Sequence, residues 1–479
     1  MRNALASVQE ENSNPYVQIT ASQWALGGVL LLVYLLTIGT LNVSSGSPNV
    51  HLVYISLLAK TALLFAPFLI ARVKGWGWFH PLVFTSLWLF ARQVLPKSGL
   101  FVDGLSYHEA LPGYTEASLN LLVAYGLGLQ ALALAITYLG YATAPRFKVP
   151  SFSFGGPSRP LMKTVLVGIV ACLALYRIVS AVGGIGQLIL LRGAGLVDRA
   201  KAFGGGQWTI LVEQLTNACL IWYAVDDRTV KSASFWGLFG FSLMLVFGAT
   251  GSRSGVIFPV LLLILIWSMR HHRIPFKSIG VAALVGIFLI GVLGELRGDR
   301  ALTEQTIIES VTEVSTSLVG GVSRGIQTVT EYSGSVEGMY PILAHVPGEE
   351  NLLLGKSYLS LPALPIPRAI WLNKPEAAGT LAGGVFFGNP DRGVPPGSVG
   401  EAYWNFHVLG IIAVFLAWGW FLRWVGRVYL ENRESGAVIA FYAVTILIAK
   451  PNTSALYEWI LTLLPMVVLA YFILQRKGD

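Results

Sequence analysis

The sequence predicts an all-α polytopic membrane protein with about twelve transmembrane helices. Three observations predict this class. Of the 479 residues, 54% are hydrophobic and 12% are charged, about half the charged fraction of a soluble domain. Twelve apolar runs approach the length of roughly 20 residues that a spanning helix needs. Lys and Arg recur in alternate loops between these runs. This composition argues against a soluble multidomain enzyme and against a disordered chain.

The twelve predicted helices follow one another along the chain, separated by polar, Gly or Pro residues. They cover residues 24–41, 52–71, 78–95, 118–141, 161–182, 208–225, 235–250, 255–269, 276–293, 403–424, 437–449 and 457–474. The predicted organisation is a polar N-terminal tail (1–23), helices one to nine (24–294), a large loop (295–402), helices ten to twelve (403–475) and a short C-terminus (476–479). The tail contains Glu10 and Glu11 and has no signal-peptide pattern.

The distribution of Lys and Arg predicts the orientation. With the N-terminus in the cytoplasm, every predicted inner loop carries at least two Lys or Arg residues. This matches the retention of positively charged loops on the cytoplasmic side. We therefore expect both termini in the cytoplasm and the large loop outside.

The large external loop has two parts. Residues 303–332 place apolar side chains three and four positions apart, which predicts amphipathic helices lying on the membrane or on the bundle. Residues 341–400 are rich in Pro and Gly, with aromatic and basic residues between turn signals. A loop of this length is usually functional, and this one is predicted to be a folded cap.

Several kinds of chemistry find no support in the sequence. Cys172 and Cys219 both fall inside apolar runs, so no disulfide framework is predicted. We find no paired-His or paired-carboxylate spacing, Walker A, dinucleotide fingerprint or GxSxG motif. The sequence therefore predicts no metal site, no cofactor and no nucleic-acid partner.

Lys and Arg residues are normally retained on the cytoplasmic side of a membrane, so basic residues on the predicted outer face are unexpected. Arg192 and Arg199 lie in the loop after the fifth helix, with Lys201 close by. Arginines at a membrane surface can bind a phosphate through bidentate hydrogen bonds. A solvated loop in which Arg199 pairs with Asp198 is the alternative.

A tighter turn joins helices seven and eight. It contains Arg253 between Ser252 and Ser254, with Gly251 and Gly255 on either side. Backbone N–H groups at a helix N-terminus, small residues and one arginine predict an anion site. The alternative is a serine-capped hairpin turn with a snorkelling arginine.

Charged residues also mark other helix ends on the outer face. Arg297 and Arg300 follow the ninth helix together with Glu295 and Asp299, and mutual salt bridges are the simplest explanation for them. Glu213, Glu295, Glu401 and Glu458 all lie near the predicted outer edge of the membrane. Partial desolvation could turn one of them into a general base, although a structural role is the simpler alternative for each.

The residues resemble a known family in two regions. The turn Thr250-Gly251-Ser252-Arg253-Ser254-Gly255 is similar to the GSRSG-like turn of bacterial oligosaccharide repeat-unit polymerases, the Wzy-type O-antigen polymerases. The loop resembles the same family through Gly355-Lys356-Ser357-Tyr358, Pro365-Ile366-Pro367-Arg368, Trp371, Lys374-Pro375 and Gly400-Glu401-Ala402-Tyr403-Trp404-Asn405-Phe406 with Gly410. The resemblance covers roughly residues 183–410. It departs from the family at His407, where the pattern has a glycine.

The resemblance implies a GT-C-like, metal-independent glycosyltransferase. It would extend a glycan linked to undecaprenyl diphosphate on the outer face of the inner membrane, with a chain-length-regulating co-polymerase left open as a partner. Arg192, Arg199 and Arg253 would stabilise the diphosphate, and Glu401 would accept the acceptor proton. Further substrate contacts are expected from Arg297, Arg300, Arg368, Lys374, Tyr358, Trp371, Tyr403 and Asn405. Trp404 is another candidate for stacking on a sugar, although aromatic residues here could instead be interfacial anchors.

Two other functions remain open at this point. An O-antigen ligase would use the same lipid-linked donor and the same outer arginines. A flippase or polysaccharide transporter would be expected to show internal repeats and charges at mid-depth. We find no repeat, and only Lys60 and Arg177 lie well inside predicted helices.

Overall fold

The computed structural model describes most of the chain. The described residues are 16–44, 46, 48–94, 111, 113–152, 154–191, 202–252, 254–277, 279–280, 283–284, 286–288, 320–323, 325, 338–363, 371, 373–389 and 393–476. The predicted amphipathic helices at 303–332 and the second half of the ninth run therefore lie almost wholly outside the described residues.

The described elements are mainly helices. In chain order they are α1 (Ala21–Ser44), α2 (Val50–Lys74), α3 (Pro81–Leu89) continued by a π-helix (Phe90–Val94), α4 (Glu116–Thr143), β1 (Phe154–Pro157), α5 (Pro160–Val182), α6 (Ile185–Leu190), α7 (Gln207–Val225), a 3₁₀ turn (Asp227–Lys231), α8 (Ala233–Thr250), α9 (Ser254–His271), α10 (Met339–His345), α11 (Ser360–Ala363), α12 (Ala378–Phe387), α13 (Gly397–Glu431), α14 (Gly436–Ile448), α15 (Thr453–Ile473) and β2 (Leu474–Arg476).

Seven of these helices are long and apolar enough to cross a membrane. They are α2, α4, α5, α8, α9, α13 and α15. Shorter apolar helices include part of α1 and α14. The prediction of an α-helical polytopic membrane protein is confirmed at this level. The number of twelve spans stays a prediction.

Helix boundaries follow local capping chemistry. The Thr115 side chain accepts a hydrogen bond from the Ser118 N–H at the start of α4, and Asn452 does the same for the Ala455 N–H at the start of α15. Such side chains satisfy N–H groups that have no partner within the helix. Gly251 ends α8 with a φ of 60°, a conformation that glycine adopts without steric cost. The turn carrying Arg253 therefore begins at a glycine cap, although Arg253 itself lies outside the described residues.

The helices pack around two main buried clusters. One centres on α7, which contacts α5, α8, α14 and α15. The other centres on α4 and α13, with α2 beside them. Leucines of α1 and α5 remain exposed, among them Leu30 and Leu173. Exposed apolar side chains on helices of this length are expected where a helix faces lipid.

One small element was not predicted. β1 pairs with β2 in an antiparallel ribbon that joins Phe154 to Arg476 and Pro157 to Leu474. The sequence predicts an inner loop at β1. At β2 it predicts the end of the last helix and the start of the C-terminal residues. The ribbon connects the end of α15 to the segment before α5.

Helices α4 and α13 cross closely at two glycines. A Cβ atom added to Gly140 would overlap the carbonyl oxygen of Leu416, and one added to Gly419 would overlap that of Thr137. Small residues let helix backbones approach in this way, which is a common mode of packing inside membranes. The crossing fixes the position of α13, the helix that carries Glu401, the predicted proton acceptor.

We predict that Gly140→Ala destabilises the bundle because the new methyl group meets backbone rather than a movable side chain. Overpacking of this kind costs about 1–3 kcal/mol. Gly128→Ala is the matched control, since Gly128 lies in the same helix with nothing within 4 Å of its Cβ position. The control should be neutral or slightly stabilising. Unfolding midpoints of the detergent-purified variants test this, and equal midpoints would contradict it.

Candidate functional site

Helix α13 is broken just after the predicted site residues. Phe406 has φ −143° and ψ 25°, and His407 has φ 57° and ψ −146°. Few residues other than glycine adopt the backbone conformation of His407. Gly410 follows the kink, and a Cβ there would overlap the carbonyl oxygen of Ala402. The kink separates a short N-terminal segment, which contains Glu401 and Asn405, from the long remainder of α13.

Glu401 is the centre of a buried hydrogen-bond network. Its side chain is 1% exposed. The Ser357 hydroxyl donates to Glu401 Oε1 at 2.7 Å, and the Thr453 backbone N–H donates to Glu401 Oε2 at 2.9 Å. Thr453 is the first residue of α15, so the carboxylate lies at a helix N-terminus, where a negative charge is favourable. We call Ser357, Glu401, Asn405 and Thr453 the Glu401 network.

Asn405 ties the loop segment 354–357 to the kink. Its Nδ2 donates to Ser357 Oγ at 2.8 Å and to the Glu401 carbonyl oxygen at 2.8 Å. Its Oδ1 accepts from the Gly355 N–H at 2.9 Å. The Leu354 N–H donates to the Asn405 carbonyl oxygen at 3.1 Å. Asn405 therefore satisfies backbone groups that the kink and the loop turn would otherwise leave without partners.

Tyr358 brings an unused hydroxyl to the network. Its Oη is buried and has no hydrogen-bond partner among the described residues. Burial and the nearby Glu401 carboxylate both raise the pKa of Tyr358, so the phenol stays protonated at neutral pH. A buried donor without a partner is costly, and a bound ligand is one way to satisfy it.

A group of charges lies beside the network. Lys450 is in the loop between α14 and α15, and its ammonium interacts electrostatically with Arg92 and with Glu458. Arg92 stacks on Trp88 at 5.5 Å from the ring centroid. Glu458 in turn interacts with Glu213 of α7. Two of the carboxylates that the sequence singled out, Glu213 and Glu458, are therefore neighbours.

The structure brings some predicted site residues together and leaves others apart. Glu401 and Asn405 belong to one hydrogen-bond network, and Tyr358 lies beside it. Tyr403 lies in the same helix segment, but it is 4% exposed and its Oη is 2.6 Å from His407 Nε2. Trp371 and Lys374 lie in the 371–377 segment, where the Lys374 N–H donates to the Trp371 carbonyl oxygen, and they make no hydrogen bond to the network. Six predicted residues lie outside the described residues: Arg192, Arg199, Arg253, Arg297, Arg300 and Arg368.

Sequence reasoning missed four residues of this region. Ser357 stood within a quoted motif without a role, and Thr453 had no signal of its own. Lys450 carried a signal, because it is a cation between two apolar runs and next to Pro451. Arg92 could have been recognised in a similar way, because it is a cation near the end of the third apolar run, 78–95. Among the described residues, no group of three or more His, Cys, Asp or Glu side chains could hold a metal ion.

We predict that Lys450→Met stabilises the protein at neutral pH. Burial, together with Arg92, lowers the pKa of Lys450 to about 8 from its ordinary value of 10.5. Between these two values the unfolded chain binds more protons than the folded one, so the free energy of unfolding of the wild type rises with pH across that window. The variant should be more stable at pH 7 by on the order of 2 kcal/mol, and the difference should shrink by about pH 10.5.

Unfolding midpoints at several pH values between 7 and 10.5 measure this difference. Lys356→Met is the matched control for the loss of one positive charge, because Lys356 is an exposed lysine of the external loop. A stability difference between wild type and Lys450→Met that stays constant over this range would contradict the prediction.

Comparison of the chain with protein-family models, with curated proteins and with solved structures finds no significant match in any of the three.

Proposed function

We propose that the chain is a membrane glycosyltransferase that polymerises undecaprenyl-diphosphate-linked oligosaccharide units into O-antigen or a related surface polysaccharide. The reaction takes place on the outer face of the bacterial inner membrane. One observation carries the proposal: a buried carboxylate and an unused tyrosine hydroxyl lie near each other where the large loop joins the helical bundle. They lie within the segment on which the resemblance to the polymerases rests.

The proposed reaction makes one glycosidic bond. A hydroxyl at the non-reducing end of a lipid-linked repeat unit attacks the anomeric carbon of the growing glycan. The bond from that carbon to the diphosphate oxygen breaks, and undecaprenyl diphosphate leaves. The acceptor proton passes to a carboxylate base.

Glu401 is the proposed base. Each of its oxygens accepts one hydrogen bond in the structure, and a carboxylate oxygen can accept a second. An acceptor hydroxyl could therefore bind without breaking the network. Tyr358 is proposed to donate its free hydroxyl hydrogen to the same sugar, which would satisfy the buried donor.

The proposed donor site uses arginines. Arg192, Arg199 and Arg253, with Arg297 and Arg300, are proposed to stabilise the diphosphate leaving group without a metal. Arg368 and Lys374 would add charge along the loop. Trp371 is 39% exposed and offers a ring face for stacking on a sugar. Asn405 would act by holding Ser357 and the loop turn. A co-polymerase that sets chain length is a proposed partner.

A gene deletion tests the proposed activity. We expect a deletion strain to carry single repeat units both on the lipid carrier and on the final acceptor, and the restored gene to return the polymer. Surface-glycan gels and mass analysis of the lipid-linked glycans measure this. If long lipid-linked polymer persists but none reaches the final acceptor, the chain is a ligase and the proposal is wrong.

We predict that Glu401→Gln abolishes polymer while the protein still accumulates in the membrane. The amide oxygen can accept from the Thr453 N–H and the amide nitrogen can donate to Ser357 Oγ, while the Ser357 hydroxyl hydrogen loses its acceptor, so the variant keeps the shape of the network at the cost of one hydrogen bond. The amide cannot take up the acceptor proton. Glu349→Gln is the matched control, because Glu349 is a 76% exposed carboxylate of the same loop, paired with His345. Polymer at the wild-type level in Glu401→Gln would remove Glu401 from the mechanism.

We also predict that Arg253→Ala abolishes polymer and that Arg253→Lys retains little. Lysine keeps the charge but loses the bidentate guanidinium geometry. Arg273→Ala is the matched control, since Arg273 is an exposed arginine just beyond the opposite end of α9. Immunoblots for membrane protein and surface-glycan gels are the measurements. Near-normal polymer in the alanine variant would exclude Arg253 from the donor site.

A further inference from the structure

A cavity of about 120 Å³ lies within the helical bundle, bounded by α2, α3, α4, the start of α13 and the loop between α14 and α15. Lys60 and Lys450 both line it, together with Gln93 and Gln130. None of the described lining residues is an Asp or a Glu. The lining of this space, which we call the lysine cavity, therefore carries two positive charges.

Lys60 is held at one side of the lysine cavity by two amides. Its side chain is 2% exposed, and Nζ donates to the side-chain oxygens of Gln93, at 3.3 Å, and of Gln130. Gln130 Nε2 in turn donates to Met339 Sδ at 3.6 Å. These bonds fix the position of the Lys60 ammonium, so its charge is preorganised at the cavity wall.

Lys450 contributes donors that the protein does not use. Among the described residues, its ammonium has no hydrogen bond and no ion pair within 4 Å, although the side chain is largely enclosed. The Glu458 carboxylate acts on it only at longer range, and Arg92 adds further positive potential. An enclosed ammonium with three unused donors is expensive. A bound anion would offset that cost.

Most of the remaining lining is apolar, and hydroxyl groups come from Thr85, Ser86, Thr137, Tyr138 and Ser398. Leu134, Phe415, Trp418 and Leu422 line the same space. The lysine cavity is thus amphipathic, with two cations and apolar side chains around one small volume. This volume suits a compact oxyanion, and lysines bind phosphate as point charges.

We propose that the lysine cavity binds a phosphate group, carried either by a lipid headgroup or by a soluble phosphate. Two lysines match the charge of a phosphate better than that of a carboxylate or a halide. The proposal does not rest on the proposed polymerase activity, because its residues differ from the arginines assigned to the donor and from the Glu401 network. It therefore stands even if the chain is not a polymerase.

Binding to the purified full-length protein tests the site. The probes are inorganic phosphate in detergent, and nanodiscs of phosphatidylcholine with and without phosphatidic acid. Chloride at equal ionic strength is the ionic control. We expect phosphate or phosphatidic acid to raise the unfolding midpoint of the wild type, and chloride to have no such effect. Response to phosphatidic acid alone would identify a lipid source, and response to inorganic phosphate a soluble one.

Substitutions assign the binding to the two lysines. Lys60→Met and Lys450→Met should each weaken binding at least about tenfold, because each removes one of two cations next to the anion. Lys450→Arg keeps the positive charge and should retain most of the binding. Retained binding in this variant shows that the loop tolerates substitution and still folds. Lys356→Met, on the exposed loop, should bind as the wild type does. The proposal fails if chloride acts as well as phosphate, or if both cavity variants bind as tightly as Lys356→Met.

Discussion

The arrangement of the site depends on one buried carboxylate at the N-terminus of a helix. Glu401 accepts a hydrogen bond from the Thr453 N–H of α15 with one oxygen and from the Ser357 hydroxyl of the large loop with the other. A buried carboxylate is tolerated only when hydrogen bonds replace its lost hydration. Both partners therefore have to be present, and through them the loop, α13 and α15 are fixed relative to one another. Ser357 alone would leave Oε2 without a donor, and Thr453 alone would leave the loop turn unattached.

The kink of α13 makes this arrangement possible. The segment that carries Glu401 ends at Phe406 and His407, and the positive φ of His407 stores strain of about 1–3 kcal/mol. Asn405 offsets that strain by satisfying Gly355, Ser357 and the Glu401 carbonyl. The resemblance to the polymerases placed a glycine at position 407, and the structure gives that position a conformation that suits glycine. The histidine keeps the backbone geometry and adds a contact with Tyr403.

Apolar run length and turn residues were enough to predict most helices, because burial in lipid or in a core leaves a local signal in the sequence. For example, the predicted run 118–141 corresponds to the helix Glu116–Thr143, and the predicted run 161–182 corresponds to the helix Pro160–Val182. Among the residues of the predicted site, Glu401 and Asn405 share one hydrogen-bond network, and Tyr358 lies beside it. Their partners could not be predicted from spacing, because Ser357 and Thr453 lie 44 and 52 positions from Glu401. The His407 kink and the β1–β2 ribbon also depend on contacts that are distant in sequence.

The loop between α14 and α15 joins the two charged regions of the site. Lys450 lines the lysine cavity, Asn452 caps α15 and donates to Ser398 Oγ at 2.8 Å, and Thr453 donates to Glu401. Lys450 lies three positions before Thr453, so the same short turn supplies the lysine of the cavity and the N–H that holds Glu401. One short turn therefore connects the carboxylate at the loop–bundle junction with the positive charges of the lysine cavity.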